Sequence, residues 1–230
     1  MVEARLRPLW RLDYDPGMPP HRIPLRTDEI VVVAGIPRSG TSLLMQMLEA
    51  GGVPPLRDEV REPDEDNPRG YYELEAAKRL ARDASWLGSA RGHAVKIVHS
   101  LISRLPADFD YRVVLVERRL DEVLASQERM LVRLGGSAET AKETVLPADR
   151  LAQIFASQLV TVMAWLDAQP NLTWLHLSHG DLIAEPRESA ARIDDFLGGA
   201  LDRVAMAAAV EPDLHRVRAD APPVGDPIGR

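Results

Sequence analysis

Val31–Leu44, VVVAGIPRSGTSLL, decides the reading of this chain. A continuous β-branched run, Val31 to Val33, leads through Ala34 into Gly35-Ile36-Pro37-Arg38-Ser39-Gly40-Thr41-Ser42, and an apolar helical stretch follows. An apolar run with no polar alternation reads as a strand buried on both faces. A glycine-bearing turn from such a strand into a helix gathers backbone N–H groups at the positive end of the helix dipole. That arrangement makes a cradle for an anion.

The spacing resembles the phosphate-binding P-loop, G-x-x-x-x-G-K-[ST]. The residue after Gly40 is Thr41, however, where the P-loop has lysine, and the nearest cation is Arg38, inside the turn. The loop keeps its phosphate-cradling shape and lacks the group that reaches β- and γ-phosphates in nucleoside triphosphatases.

Working outward, strands and helices alternate. The pattern predicts strands at 30–35, 93–98, 111–117 and 172–177. It predicts helices at 40–49, 73–85, 119–134, 148–168, 187–197 and 201–210. Such alternation implies an α/β fold, three layers α/β/α, with a mostly parallel central sheet and P-loop NTPase-like topology. Ligands in such sheets sit at the carboxyl ends of the strands, where residues 35–42 fall. Residues 1–29 hold Pro8, Pro16, Pro19, Pro20 and Pro24 and read as an irregular arm. Residues 30–218 read as a single domain, and residues 219–230 as a frayed tail.

Bulk composition agrees. The 230 residues, 45% hydrophobic, suffice for one large core. A net charge of –7 argues against a surface that coats nucleic acid, without excluding a local basic pocket. Cysteine is absent, which excludes disulfides and thiolate metal sites and suits a reducing cytoplasm. No apolar run approaches the ~20 residues of a membrane span, and the first residues carry no signal-peptide core. The expected location is cytoplasmic, with no membrane and no nucleic-acid partner. The histidines show no metal-ligand spacing, so no metal site is expected; His93 reads as a strand-edge residue.

A second strand-to-helix junction, Glu117-Arg118-Arg119-Leu120-Asp121-Glu122-Val123-Leu124-Ala125-Ser126, places an arginine at a strand end and a serine eight residues on. An arginine fork and a hydroxyl suit a phosphate.

Together these residues resemble the PAPS-dependent sulfotransferases, which use 3′-phosphoadenosine 5′-phosphosulfate (PAPS) as donor. In that family a G-x-P-[RK]-S-G-[TS]-[TS] loop binds the 5′-phosphosulfate end, and a strand-end arginine with a serine eight residues on binds the 3′-phosphate. The resemblance implies that Arg38, Ser39, Gly40, Thr41 and Ser42 hold the first end, and Arg118 with Ser126 the second. The family's Arg-Asp-Pro is Arg118-Arg119-Leu120 here. Leu177–Gly198 is similar to the family's Y-E-D-L to F-L-G stretch, with His179 and Gly180 in place of Tyr and Glu. The implied activity is sulfuryl transfer to a hydroxyl or amine of a small-molecule acceptor, releasing the 3′,5′-bisphosphate PAP, with no metal required.

The general base is open between two groups. Asp58 and Glu59 follow helix one, and Glu59 with Arg61 looks like the base Glu and Arg of tyrosylprotein sulfotransferases. Lys96 and His99 stand as K-x-x-H where cytosolic members have K-x-H, so Lys96 would support the sulfate and His99 has a suitable intrinsic pKa. Residues 67–73 read either as a structural turn or as acceptor-lining through Tyr71, Tyr72 and Glu73. Two rivals stand beside this reading: a P-loop kinase or NTPase with an atypical loop, and a non-catalytic nucleotide-binding protein.

Overall fold

The computed structural model describes residues 26–58, 70–133 and 147–210. The expected arm up to residue 25, the tail from residue 219, Glu59, Arg61 and the segment 134–146 lie outside the described residues.

Four strands, β1 (Ile30–Gly35), β2 (Ala94–Val98), β3 (Tyr111–Glu117) and β4 (Leu172–Ser178), form one sheet in the order β2-β1-β3-β4. Every pairing is parallel, with Gly35 opposite Val98 on one side and Val116 on the other. The helices are α1 (Thr41–Ala50), α2 (Glu75–Lys78), α3 (Leu120–Arg133), α4 (Ala148–Asp167), α5 (His179–Ala184), α6 (Pro186–Phe196) and α7 (Arg203–Ala208). Two 3₁₀ segments, Ser85–Ala90 and His99–Arg104, flank β2.

All six residues of β1 are buried, which is why its sequence shows no polar alternation. Val31 and Val33 face a core shared with α1, α6 and α7, including Leu44, Met47, Ile193 and Met206. Ile30, Val32 and Ala34 face the opposite core, with Leu87, Ile102, Val162 and Leu166. One strand thus supplies both layers with its alternate side chains, and the three-layer architecture follows.

The expected helix over 73–85 is shorter. It spans Glu75–Lys78 and gives way to turns before the 3₁₀ segment at Ser85. The Asp83 carboxylate accepts from the Ser85 N–H at 2.9 Å, a local bond that competes with helical continuation. The stretch after β4 holds a helix that the periodicity did not separate. The Ser178 hydroxyl caps α5 by accepting from the Asp181 N–H, and Pro186 starts α6 afresh.

The chain leaves β1 for β2 on one side and returns to place β3 on the other. The strand order therefore reverses at β1, and the crevice between the carboxyl ends of β1 and β3 is the sheet's switch point. The loops following Gly35 and Glu117 both open there.

Candidate active site

The Gly35–Ser42 turn is built by two residues with positive φ, Arg38 at 75° and Gly40 at 98°. Ser39 N–H closes the turn onto the Ile36 carbonyl at 3.0 Å. Gly40 then caps α1 with no side-chain cap, and the first turn of α1 carries no acid. The amino end of this helix keeps its positive dipole end free of any carboxylate of its own. Ser39 is 1% exposed, and its hydroxyl has no hydrogen-bond partner inside the cradle. An oriented, desolvated hydroxyl beside an uncapped helix end is suited to an anionic ligand.

Three cations converge on this turn. Arg38 Nε donates to Ser126 Oγ at 3.0 Å, tying the loop to α3. Arg118 Nη1 donates to the Arg38 carbonyl at 3.4 Å, and its side chain is 9% exposed. Arg119, by contrast, pairs at the surface with Asp121, whose pKa it holds below the usual carboxylate value. Of the two neighbouring arginines, Arg118 is therefore the one turned to the loop. Lys96, on β2, donates to Ser42 Oγ at 3.3 Å and to the Tyr71 carbonyl at 3.0 Å. It brings an ammonium from the neighbouring strand to the start of α1, where the loop itself has Thr41.

The predicted loop residues Arg38, Ser39, Gly40, Thr41 and Ser42 thus meet Lys96, Arg118 and Ser126 at the switch point. Sequence separations of up to 88 residues close to single hydrogen bonds.

The candidate bases are placed differently from one another. Asp58 Oδ2 accepts from the Glu75 N–H at 2.6 Å, and the Asp58 N–H donates to the Glu73 carbonyl. Its carboxylate caps α2. His99 follows Val98, the residue paired with Gly35, and so stands at the same carboxyl end of the sheet as the loop. It is 3% exposed, lies edge-on to Phe155 and has Nε2 2.8 Å from Gln158 Oε1. Since an amide oxygen accepts only, Nε2 donates this bond, and in a neutral ring the lone pair falls on Nδ1. Nδ1 has no hydrogen-bond partner. Glu59 lies outside the described residues.

No family model and no curated protein matches the sequence. Solved structures do show likenesses. A sulfotransferase domain from the curacin biosynthetic pathway has 16% identity over 87% of this chain and 94% of its own, with a TM-score of 0.47. A sulfotransferase from Alicyclobacillus acidocaldarius has 17% identity over 81% of this chain and 88% of its own, with a TM-score of 0.48. Retinol dehydratase in complex with androsterone and the inactive cofactor PAP has 21% identity, with a TM-score of 0.46. That match covers 83% of this chain and 65% of the dehydratase. Sulfotransferases are among its structural neighbours.

Several residues of the site were not read from the sequence. His179, 6% exposed, packs so closely on Gly40 that a Cβ there would stand 2.2 Å from its Cδ2. Glu122 accepts from Arg118 Nε at 2.8 Å. Gln127 Nε2 donates to the Pro37 carbonyl at 3.4 Å. The Arg118–Glu122 spacing of four was visible as a signal, whereas the Gly40–His179 contact had none.

Tyr71 and Tyr72 frame the other side of the turn. Tyr71 offers its carbonyl to Lys96 and Ser42. Tyr72, at a positive φ of 54°, donates its hydroxyl to Glu49 and lies under the Arg57 guanidinium at 4.5 Å. Burial and the neighbouring Glu49 carboxylate push the Tyr72 hydroxyl up to about 12.

Among the described residues no group of three or more His, Asp or Glu is placed to hold a metal ion, and no helix is long and apolar enough to cross a membrane.

Proposed function

We propose that this chain is a cytoplasmic sulfotransferase that moves a sulfuryl group from PAPS to a hydroxyl or amine of a small-molecule acceptor. One observation carries the reading. Two independent sets of anion-binding groups, the 36–42 turn and the Arg118–Ser126 pair, are joined at the sheet's switch point by the Arg38–Ser126 and Arg118–Arg38 bonds. A donor with negative charge at both ends of an adenosine fits two adjoining sets; a nucleotide charged at one end fits one.

The residues present suit such a donor. The uncapped amides at Gly40, Thr41 and Ser42, with Arg38 and Lys96, would hold the 5′ end. Arg118 and Ser126 would hold the 3′-phosphate. When bound, PAPS supplies an activated sulfur whose bond to the bridging phosphate oxygen breaks as the acceptor's oxygen or nitrogen bonds to it, leaving PAP. Arg38 and Lys96 stabilise the charge that develops on the departing phosphate, as fixed donors do in a preorganised site. His99 takes the acceptor's proton at Nδ1, with Gln158 fixing the ring's tautomer. The Asp58 carboxylate accepts from the Glu75 N–H at the start of α2, which supports His99 over Asp58 as the base.

Thermal shift with PAP, 5′-AMP, ADP and ATP, each with and without Mg²⁺, tests the reading. A ligand that binds the native state alone raises the melting point by mass action. The expected result is stabilisation by PAP without metal, exceeding that by 5′-AMP. Stabilisation by ATP that depends on Mg²⁺ would instead indicate a kinase or NTPase. PAP binding without turnover of PAPS across an acceptor panel would indicate a non-catalytic nucleotide-binding protein.

A further inference from the structure

Arg118 is not held by the loop alone. Its Nε donates to Glu122 Oε2 at 2.8 Å, and the two side chains are 9% and 13% exposed. Glu122 lies in the first turn of α3, and Ser126, one turn further along the helix, accepts from Arg38. Arg118, Glu122, Ser126 and Arg38 are thus linked by hydrogen bonds between β3, α3 and the 36–42 turn.

A nearly buried guanidinium needs a counter-charge, because desolvation leaves an isolated ion strongly disfavoured. Glu122 supplies it from within the chain. The same carboxylate stands where it repels any second anion brought to Arg118, and little solvent intervenes to screen the repulsion. We propose that Glu122 is a resident counter-anion that exchanges with the nucleotide. It neutralises Arg118 in the free protein and yields it to the 3′-phosphate on binding. The proposal rests on the reading that Arg118 and Ser126 take that phosphate.

Two consequences follow from the exchange. Donor and product both bind less tightly than the cations alone would allow, since the Arg118–Glu122 pair has to open first. A nucleotide lacking the 3′-phosphate offers Arg118 nothing in return, so the pair stays closed and that ligand is bound through the 36–42 turn alone. Glu122 thereby narrows the preference for PAP over 5′-AMP and recaptures Arg118 as PAP departs.

Isothermal titration of PAP and of 5′-AMP into the wild-type protein, Glu122→Gln, Glu122→Ala and Arg118→Ala tests this. Glutamine keeps an acceptor for Arg118 and removes the charge; alanine removes both. The expected result is PAP binding tighter by about tenfold in both Glu122 variants, with 5′-AMP affinity unchanged. Melting curves should show a larger PAP-induced rise in either variant than in the wild type. Equal or weaker PAP binding in both folded Glu122 variants, with Arg118→Ala still abolishing the preference for PAP over 5′-AMP, overturns the exchange and leaves the 3′-phosphate reading standing. If neither the wild type nor any variant prefers PAP over 5′-AMP, both fall together.

Discussion

Gly40→Ala separates the two reasons that glycine is required at the start of α1. The first is conformational. Gly40 has φ of +98°, and an L-residue in left-handed backbone costs about 1–2 kcal/mol. The second is steric. An alanine Cβ would stand 2.2 Å from His179 Cδ2 and 3.0 Å from Nε2, and relieving such overpacking in a buried setting costs about 1–3 kcal/mol. The sum is about 2–5 kcal/mol against a typical total of about 5–15. The variant should therefore fold but melt markedly lower. Gly52 supplies the control, because its φ is +99° and a Cβ added there would meet nothing within 4 Å. Gly52→Ala incurs the conformational cost alone. Equilibrium urea unfolding followed by circular dichroism measures both, and the double variant Gly40→Ala/His179→Ala closes a cycle. The double variant should recover about 1–3 kcal/mol relative to additivity. If Gly40→Ala destabilises no more than Gly52→Ala, or if the cycle is additive, His179 does not constrain the loop and the packing argument is wrong.

Glu29→Ala should destabilise by about 3–5 kcal/mol in the same unfolding assay, because it removes the carboxylate to which Arg112 Nε donates at 3.1 Å from a side chain only 7% exposed, with the Phe196 carbonyl still accepting from Nη1. A loss under about 1 kcal/mol would place water at Arg112. Tyr72 titrates near 12 against an ordinary 10.0, so its folded-state proton is held more tightly than in the unfolded chain. The resulting stabilisation is complete below the unfolded pKa and is lost as pH rises through the folded one. The stability difference between wild type and Tyr72→Phe should accordingly shrink as pH climbs from about 10 towards 12; a constant difference would refute it. His99→Ala should lower turnover by roughly 10²–10⁴-fold while leaving PAP affinity within about twofold. A parallel loss of PAP binding would assign His99 to the nucleotide site instead.

The strands were legible because burial on both faces leaves uninterrupted apolar runs: β3 begins and ends where Tyr111–Glu117 does in the sequence, and β1 is entirely buried. The anion turn was legible for a local reason as well, since Gly35, Arg38 and Gly40 act within one loop. The stretch after Glu73 misled because Leu74, Ala77 and Leu80 carry helical spacing, while the Asp83 bond to Ser85 N–H is a side-chain choice that periodicity does not register. Glu122 was read past because an acid in the first turn of a helix already has a reason to be there, the dipole. Its second role, as partner to Arg118, depends on which way the β3 end faces. The Gly40–His179 contact joins the turn after β1 to the first residue of the helix after β4, and nothing in either segment marks the other. The conformation of the 36–42 turn is set within one turn of chain and was legible; the Gly40–His179 contact, set by how β1, β3 and β4 lie together, was not.

An acidic chain that gathers cations at one place has to solve a local problem, and the net charge of –7 is nearly irrelevant to it. Exposed charges more than ~8 Å away are largely screened at physiological salt. At the 36–42 turn the site holds Arg38, Lys96 and Arg118 beside the positive end of α1. Crowding three cations would strain the unliganded fold if each stood alone. The structure answers with a backbone carbonyl for Arg118, a hydroxyl for Arg38, and a hydroxyl with a carbonyl for Lys96. These neutral acceptors orient the cations. Glu122 adds a full counter-charge to the nearly buried Arg118. At the 36–42 turn the Arg38–Ser126 and Lys96–Tyr71 bonds orient their cations through neutral groups. A charged one at Arg118 makes the far end conditional on what the incoming nucleotide carries.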